Sequence, residues 1–223
     1  MHSNPLIVVE GADGAGKATQ VKLLKEEFVA LGFCVSVFSF PRYDHLYGSL
    51  IRRGLNGEFG DFLGLNPYVA SALWAADRAG ARDELLDGLK KGIVICDRYI
   101  QSNLAYQGAK LEGKARAEFI RFTEEAEYGE LGLPKPNLVV YLAVPVSVSS
   151  RLSGARGKQD QHEANIRYQE EVSNVYRELA KERLDWKIVE CVREGRLRDP
   201  DDIHQEVVKL ALSVLADQHR ALS

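Results

Sequence analysis

Cysteine, methionine and tryptophan are scarce in this chain, with three Cys, one Met and two Trp among 223 residues. Three is an odd number, and Cys34, Cys96 and Cys191 each lie in a stretch that reads as a buried strand. That usage argues against a disulfide framework and for small core residues in a reducing compartment. Metal-ligand spacing is missing as well: His162 has no cysteine or second histidine near it at the interval a zinc site needs. Nor is there an excess of charge of one sign. Lys plus Arg is 29 against 32 Asp plus Glu, a net charge of −3, so nucleic acid and anionic membrane are not attracted by bulk charge and any phosphate site has to be local. No apolar run approaches the ~20 residues of a membrane span, and the N-terminus lacks the charged-then-apolar layout of a secretory leader. The expectation is a cytoplasmic protein without nucleic-acid or membrane partners. Internal repeats and low-complexity segments are absent too, and 223 residues suit one domain spanning 1–223.

What the chain does have is a glycine loop. The apolar run Leu6–Val9 leads into Gly11, Ala12, Asp13, Gly14, Ala15, Gly16, Lys17, Ala18 and Thr19. Gly11, Gly14 and Gly16 permit a backbone that curls until several N–H groups face one anion. Lys17 adds a point charge for the β- and γ-phosphates, and a helix starting there adds the partial positive charge of its N-terminus. The spacing is that of a Walker A loop except that Ala18 stands where a Ser or Thr hydroxyl usually meets Mg²⁺. Thr19 is no substitute, because one residue along a helix rotates the side chain by about 100°. A glycine-rich turn without a ligand is the other reading, and the strand before and helix after speak against it.

Strand-length apolar runs recur at Leu6–Val9, Cys34–Phe40, Ile93–Cys96, Leu138–Val144 and Trp186–Val192. Helical spacing appears over Lys17–Leu31, Asn66–Lys90, Leu111–Glu127, His162–Arg183 and Asp201–Leu215. The alternation predicts an α/β fold, a doubly wound parallel five-stranded sheet between two helical layers. In such a sheet ligands bind at the carboxyl ends of the strands, and three segments fall there. Phe40, Arg42 and Tyr43 follow the second strand, where a solvated surface arginine is the plainer reading of Arg42. Asp97 and Arg98 follow the third: the Asp suits Mg²⁺ or a helix cap, and the Arg suits a bidentate grip on phosphate. Trp74, Arg78 and Arg82 recur every four residues, so one continuous helix would show them on one face, either for a flat heterocycle or as a half-buried Trp beside surface arginines. Ser102, Asn103, Tyr106 and Gln107 make a polar wall or a capped helix start. Finally Arg151 and Arg156 sit in a glycine-flanked segment able to close over a polyphosphate, or to form a solvated basic loop.

Taken in order, Glu10 to Lys17, Phe40 to Tyr43, Trp74 to Arg78, Asp97 to Tyr106 and the basic segment Arg151 to Lys158 resemble the thymidylate kinase family along nearly the whole chain. The resemblance implies the P-loop nucleotide kinase fold, a homodimer, and transfer of the ATP γ-phosphoryl to dTMP. It implies Lys17 on the ATP phosphates, Asp13 near the acceptor's 3′-hydroxyl and transferring phosphate, and Arg42 and Arg98 on the dTMP phosphate. Trp74 would stack on thymine, Arg78 would meet a base carbonyl, and Ser102, Asn103 and Tyr106 would surround base and deoxyribose. Gly14 occupies the place where one branch of the family has a loop arginine. The chain therefore looks like the branch whose catalytic arginine comes from a lid, here about 147–163, with Arg156 first and Arg151 second. Glu163 matches a glutamate close to acceptor and metal, and with Ala18 in the loop Mg²⁺ would rest on Asp97, phosphates and water.

Overall fold

The computed structural model describes residues 4–62, 64–149 and 166–222, with side chains given as far as 216. Five parallel strands, β1 (Leu6–Gly11), β2 (Val35–Ser39), β3 (Ile93–Asp97), β4 (Leu138–Ala143) and β5 (Trp186–Glu190), form one sheet in the order β2-β3-β1-β4-β5. Every residue of β1 and β4 is buried, because helices cover both faces of the sheet and leave no side for polar residues. Successive side chains in β1 go to opposite faces: Leu6 and Val8 join one core, Ile7 and Val9 the other.

The first core is closed by α4 (Arg82–Lys91), α5 (Ile100–Gly108) and α7 (Ile166–Glu182), through Leu85 and Leu89, Leu104, and Val172 with Leu179. The second is closed by α1 (Lys17–Ala30) and α8 (Pro200–Leu222), through Val21, Leu24 and Phe28 packed with Ile203 and Val207. Asp199 accepts a hydrogen bond from the Asp201 N–H at 2.9 Å, which starts α8 where the acidic pair was expected to. A third, smaller core of Ile51, Leu55 and Phe62 lies under α2 (Leu46–Leu55), a helix not anticipated from the sequence. Among the described residues no helix is long and apolar enough to cross a membrane.

Four expectations need correction. The helix expected over Asn66–Lys90 is two helices, α3 (Pro67–Ala79) and α4, parted at Gly80 and Ala81. Arg82 therefore leaves the face of Trp74 and Arg78 and donates to the Gly132 carbonyl at 3.1 Å. A side chain at Gly80 would sit 2.8 Å from the Arg42 guanidinium, so the break and the small residue belong together. The helix expected over Leu111–Glu127 is α6 (Gly113–Glu124) followed by a π-helical turn, Glu125–Glu130. Beyond β5 the chain makes a small hairpin, β6 (Val192–Arg193) with β7 (Arg196–Leu197), instead of a strand to Val192. Cys96 and Cys191 are buried, but Cys34 is exposed, since it precedes β2 at the edge of the sheet.

Candidate active site

The glycine loop leaves β1 and enters α1. Gly16 is the residue before α1 and has φ 87°, a left-handed backbone that an L side chain adopts only at a cost. At Gly11 the constraint is space, as a Cβ would lie 2.9 Å from the Leu142 carbonyl oxygen of the neighbouring strand. Lys17 is nearly buried and folds back over its own loop, donating to the carbonyls of Gly11 at 3.1 Å and Ala12 at 2.9 Å. Burial, with Arg98's positive charge second, pulls its ammonium down to about 8, against the pull of Asp13, Asp97 and Glu10. The first turn of α1 carries no acidic residue, leaving the partial positive charge of its N-terminus for an external anion. Ala18 and Thr19 are exposed there.

β3 ends beside this loop, with Asp97 level with Val9 of β1 and Ser39 of β2. Arg98 follows with φ 64°, left-handed for a residue that has a Cβ, and its N–H is tied to the Val9 carbonyl at 3.0 Å. That turn aims the guanidinium at the loop. It is ion-paired to Asp13, lies 3.2 Å from Ser102 Oγ and 3.4 Å from Tyr106 Oη, and has its carbon 5.3 Å from the Tyr106 ring centre.

Beneath Arg98 lies Glu10, fully buried at the end of β1. Its carboxylate accepts from the N–H of Tyr99 (2.9 Å) and of Ser102 (3.0 Å), from Ser102 Oγ (2.7 Å) and from Tyr176 Oη (2.7 Å). Burial pushes this carboxyl up, only partly offset by Arg98's charge and by the hydrogen bonds from the Ser102 and Tyr176 hydroxyls and the Tyr99 N–H. Two N–H groups at the start of α5 thus find their acceptor in a strand residue rather than in a local cap.

A cleft opens from Asp13 and Arg98. Phe40, Pro41 and Tyr43 from the turn after β2 form one side and Trp74 and Arg78 of α3 another. Ser102, Asn103, Tyr106 and Gln107 of α5 complete it, with Tyr99 and Leu55. Of the substrate contacts expected from the sequence that fall among the described residues, all but Arg42 lie in this wall. The Trp74 ring is held by Phe62, centroids 5.4 Å apart at 41°. Arg42 is turned onto Asp77: its Nε is 3.4 Å from Oδ1, a terminal nitrogen donates to the Asp77 carbonyl at 2.8 Å, and its N–H donates to Oδ2 at 2.7 Å. Arg151, Arg156 and Glu163 lie outside the described residues.

Sequence reasoning missed the acids that hold the cationic and amide side chains. Glu10 does have a signal, being a charged residue at the end of a strand apolar on both faces. Asp77 and Glu127 have none. Glu127, in the π-helical turn, grips Arg78 with both oxygens at 2.6 Å. For a divalent cation, the described residues contain no group of three or more His, Cys, Asp or Glu side chains able to chelate it. Asp97, at the end of β3 beside the loop, is one carboxylate of the kind that suits Mg²⁺, which commonly keeps its waters and takes one or two carboxylates plus phosphate oxygens.

Comparison with known proteins agrees with this geometry. A family model described as thymidylate kinase matches residues 9–197. A thymidylate kinase of Mycobacterium tuberculosis is 38% identical over 204 residues, covering 86% of this chain and 94% of the relative. A probable thymidylate kinase of Pyrococcus abyssi is 33% identical over 207 residues, covering 92% of this chain and 94% of the relative. The solved structure of a thymidylate kinase from Candida albicans superposes with a TM-score of 0.75 at 23% identity, over 97% of this chain and 93% of that one, which establishes the P-loop kinase fold. With the family model spanning most of the chain and relatives above 30% identity along it, this chain belongs to the thymidylate kinase family.

Proposed function

We propose that the chain transfers the γ-phosphoryl group of ATP to dTMP, giving dTDP and ADP, as a step toward dTTP. The observation that supports this most directly is the cleft itself. Trp74 and Arg78 line it together with the Arg98–Asp13 pair, which joins it to the glycine loop. A nucleoside monophosphate laid along it has its base at Trp74 and its phosphate at Arg98, next to the phosphates that the loop would hold.

An oxygen of the acceptor phosphate attacks the γ-phosphorus in line. The bond from that phosphorus to the β,γ-bridging oxygen breaks, and ADP leaves with the electron pair. The acceptor is already an anion, so no strong base is needed. Repulsion is the obstacle: two unit charges about 4 Å apart cost ~4 kcal/mol at an effective dielectric of about 20, and each phosphate carries more than one charge. Lys17 and the α1 N-terminus counter it on the donor side and Arg98 on the acceptor side, with Arg42 as a second acceptor-side cation released from Asp77. Arg156 or Arg151 supplies the lid charge. Asp97 would hold Mg²⁺, which when bound would neutralise phosphate charge. Asp13 orients Arg98 and stands close to the acceptor, and the working form is taken to be a homodimer.

The test is ADP formation from ATP and Mg²⁺ with dTMP, dUMP, dCMP and thymidine at equal concentration. Turnover with dTMP well above the others is expected. ATP binding without turnover on any acceptor would overturn the reading and leave a nucleotide-binding module.

A further inference from the structure

Glu127 does more than neutralise Arg78. Its Oε1 also accepts from Asn103 Nδ2 at 3.0 Å, and the second Nδ2 proton of Asn103 goes to the Ser71 carbonyl at 3.2 Å. Both partners are acceptors only, a carboxylate and a carbonyl. Exchanging O and N of the amide would set oxygen against oxygen at both contacts, so the polarity of Asn103 is fixed by chemistry. What remains is Asn103 Oδ1, buried and with no hydrogen-bond donor, on a residue of the cleft wall.

Arg78 is fixed the other way. It has donors only; Nε and one terminal nitrogen are spent on Glu127, and the other terminal nitrogen lies 3.4 Å from the Tyr99 carbonyl. These contacts leave one N–H on each terminal nitrogen, and Arg78 lines the same wall. Arg78 and Glu127 are both about 1% exposed, so neither is free to swing out and trade partners in water. The wall therefore presents a donor from Arg78 and an acceptor from Asn103. An imide edge, a carbonyl oxygen beside a ring N–H, matches that pair. The edge of cytosine, an amino donor beside a bare ring nitrogen, is its reverse.

We infer that Glu127 is the positioning residue for base selection: by holding Arg78 and Asn103 from one carboxylate it sets the wall to accept an imide and to reject an aminopyrimidine. This rests on the mononucleotide reading of the cleft given above. A glutamine at 127 has the same shape but brings an amide NH₂. That group meets a donor whichever way it turns: beside Arg78 it costs the guanidinium one of its two acceptors, and beside Asn103 it favours an inverted amide whose oxygen then faces the Ser71 carbonyl.

The experiment measures binding of dTMP and dCMP by calorimetry without ATP, with ADP formation in parallel, on the intact chain and on E127Q and E127D. The unaltered chain is expected to prefer dTMP. In E127Q that preference drops by about tenfold or more, because a mispaired buried polar edge is what enforces such discrimination. The change appears in Kd and KM for the base rather than in kcat with saturating dTMP. E127D keeps the charge but has too short a reach to serve both partners, and falls between the two; if E127Q does not fold, E127D decides by the same ratio. An unchanged preference in a folded variant, or an equal loss for both nucleotides, would reduce Glu127 to a structural ion pair and overturn the inference. Failure of the unaltered chain to bind either nucleotide would instead remove the cleft reading and this inference with it.

Discussion

Arg98, from the turn after β3, and Asp13, from the glycine loop after β1, meet as an ion pair across 85 residues of chain. They meet because β1 and β3 are neighbours whose ends are level, and because the left-handed backbone at Arg98 turns its side chain toward the loop. The arginine thus brings together a costly backbone and a charge aimed at the glycine loop.

Those two contributions separate in mutants. Arg98→Ala is expected to lower kcat/KM for dTMP by about two to three orders of magnitude, or ~3–4 kcal/mol, as for loss of a desolvated charge contact. Arg98→Gly loses the same charge but tolerates the φ of 64°. It should unfold in urea with ~1 kcal/mol more stability than Arg98→Ala while remaining as inactive. Unaltered kinetics in either variant would take Arg98 out of the transfer.

Lys17 sets a pH limit. Its ammonium, lowered to about 8 by burial first and by Arg98 second, loses its charge as pH rises through that value in the nucleotide-free protein. The kcat/KM for ATP should fall above about pH 8, and ATP binding should take up a proton there, which calorimetry in buffers of different ionisation heat detects. Stability moves the other way. The unfolded chain keeps the lysine proton up to its ordinary 10.5, so between about 8 and 10.5 this group makes folding more favourable as pH rises.

Glu10 accepts from four donors and donates to none. Glu10→Gln places an NH₂ among those donors and should cost ~3 kcal/mol, more than Tyr176→Phe, which deletes one donor for ~1–2 kcal/mol. Chemical unfolding of both variants checks the order. Equal effects would mean that the site accommodates the added NH₂ by rearranging, and that neither the charge of Glu10 nor its acceptor-only pattern costs more to lose than one hydrogen bond.

Ala18 is exposed at the first turn of α1, so a hydroxyl fits there. Ala18→Ser is expected to lower the Mg²⁺ concentration for half-maximal rate about fivefold, the ~1 kcal/mol of one added contact, with kcat little changed. Mg²⁺ titration of the rate reads this directly. No shift would mean that the metal stands away from this turn.

The parallel sheet and the residues at its strand ends were legible because they depend on local patterns. Leu6–Val9 and Leu138–Val144 are apolar runs, and the glycines, Asp97 and Arg98 follow at fixed offsets. α2 was not legible, since its apolar residues Ile51 and Leu55 are few and find their partner, Phe62, only across a loop. The break at Gly80 was overlooked because the spacing of Trp74, Arg78 and Arg82 continues through it, and spacing alone does not show that Arg42 occupies the volume a side chain would need. Glu127 and Asp77 were invisible for a deeper reason: an acid is read as solvated unless its cationic partner is known, and those partners, Arg78 and Arg42, arrive from α3 and the turn after β2.

The strand order carries a kinetic consequence. β3 lies between β2 and β1, and β1 between β3 and β4, so Asp13, which follows β1, joins the walls drawn from residues 40–107 only when β1 has paired with β3. Each pairing at its floor closes a long loop before any contact repays the lost entropy. Catalytic competence in a refolding chain should consequently return with the last central strand pairing, well after helical content has reached its final value.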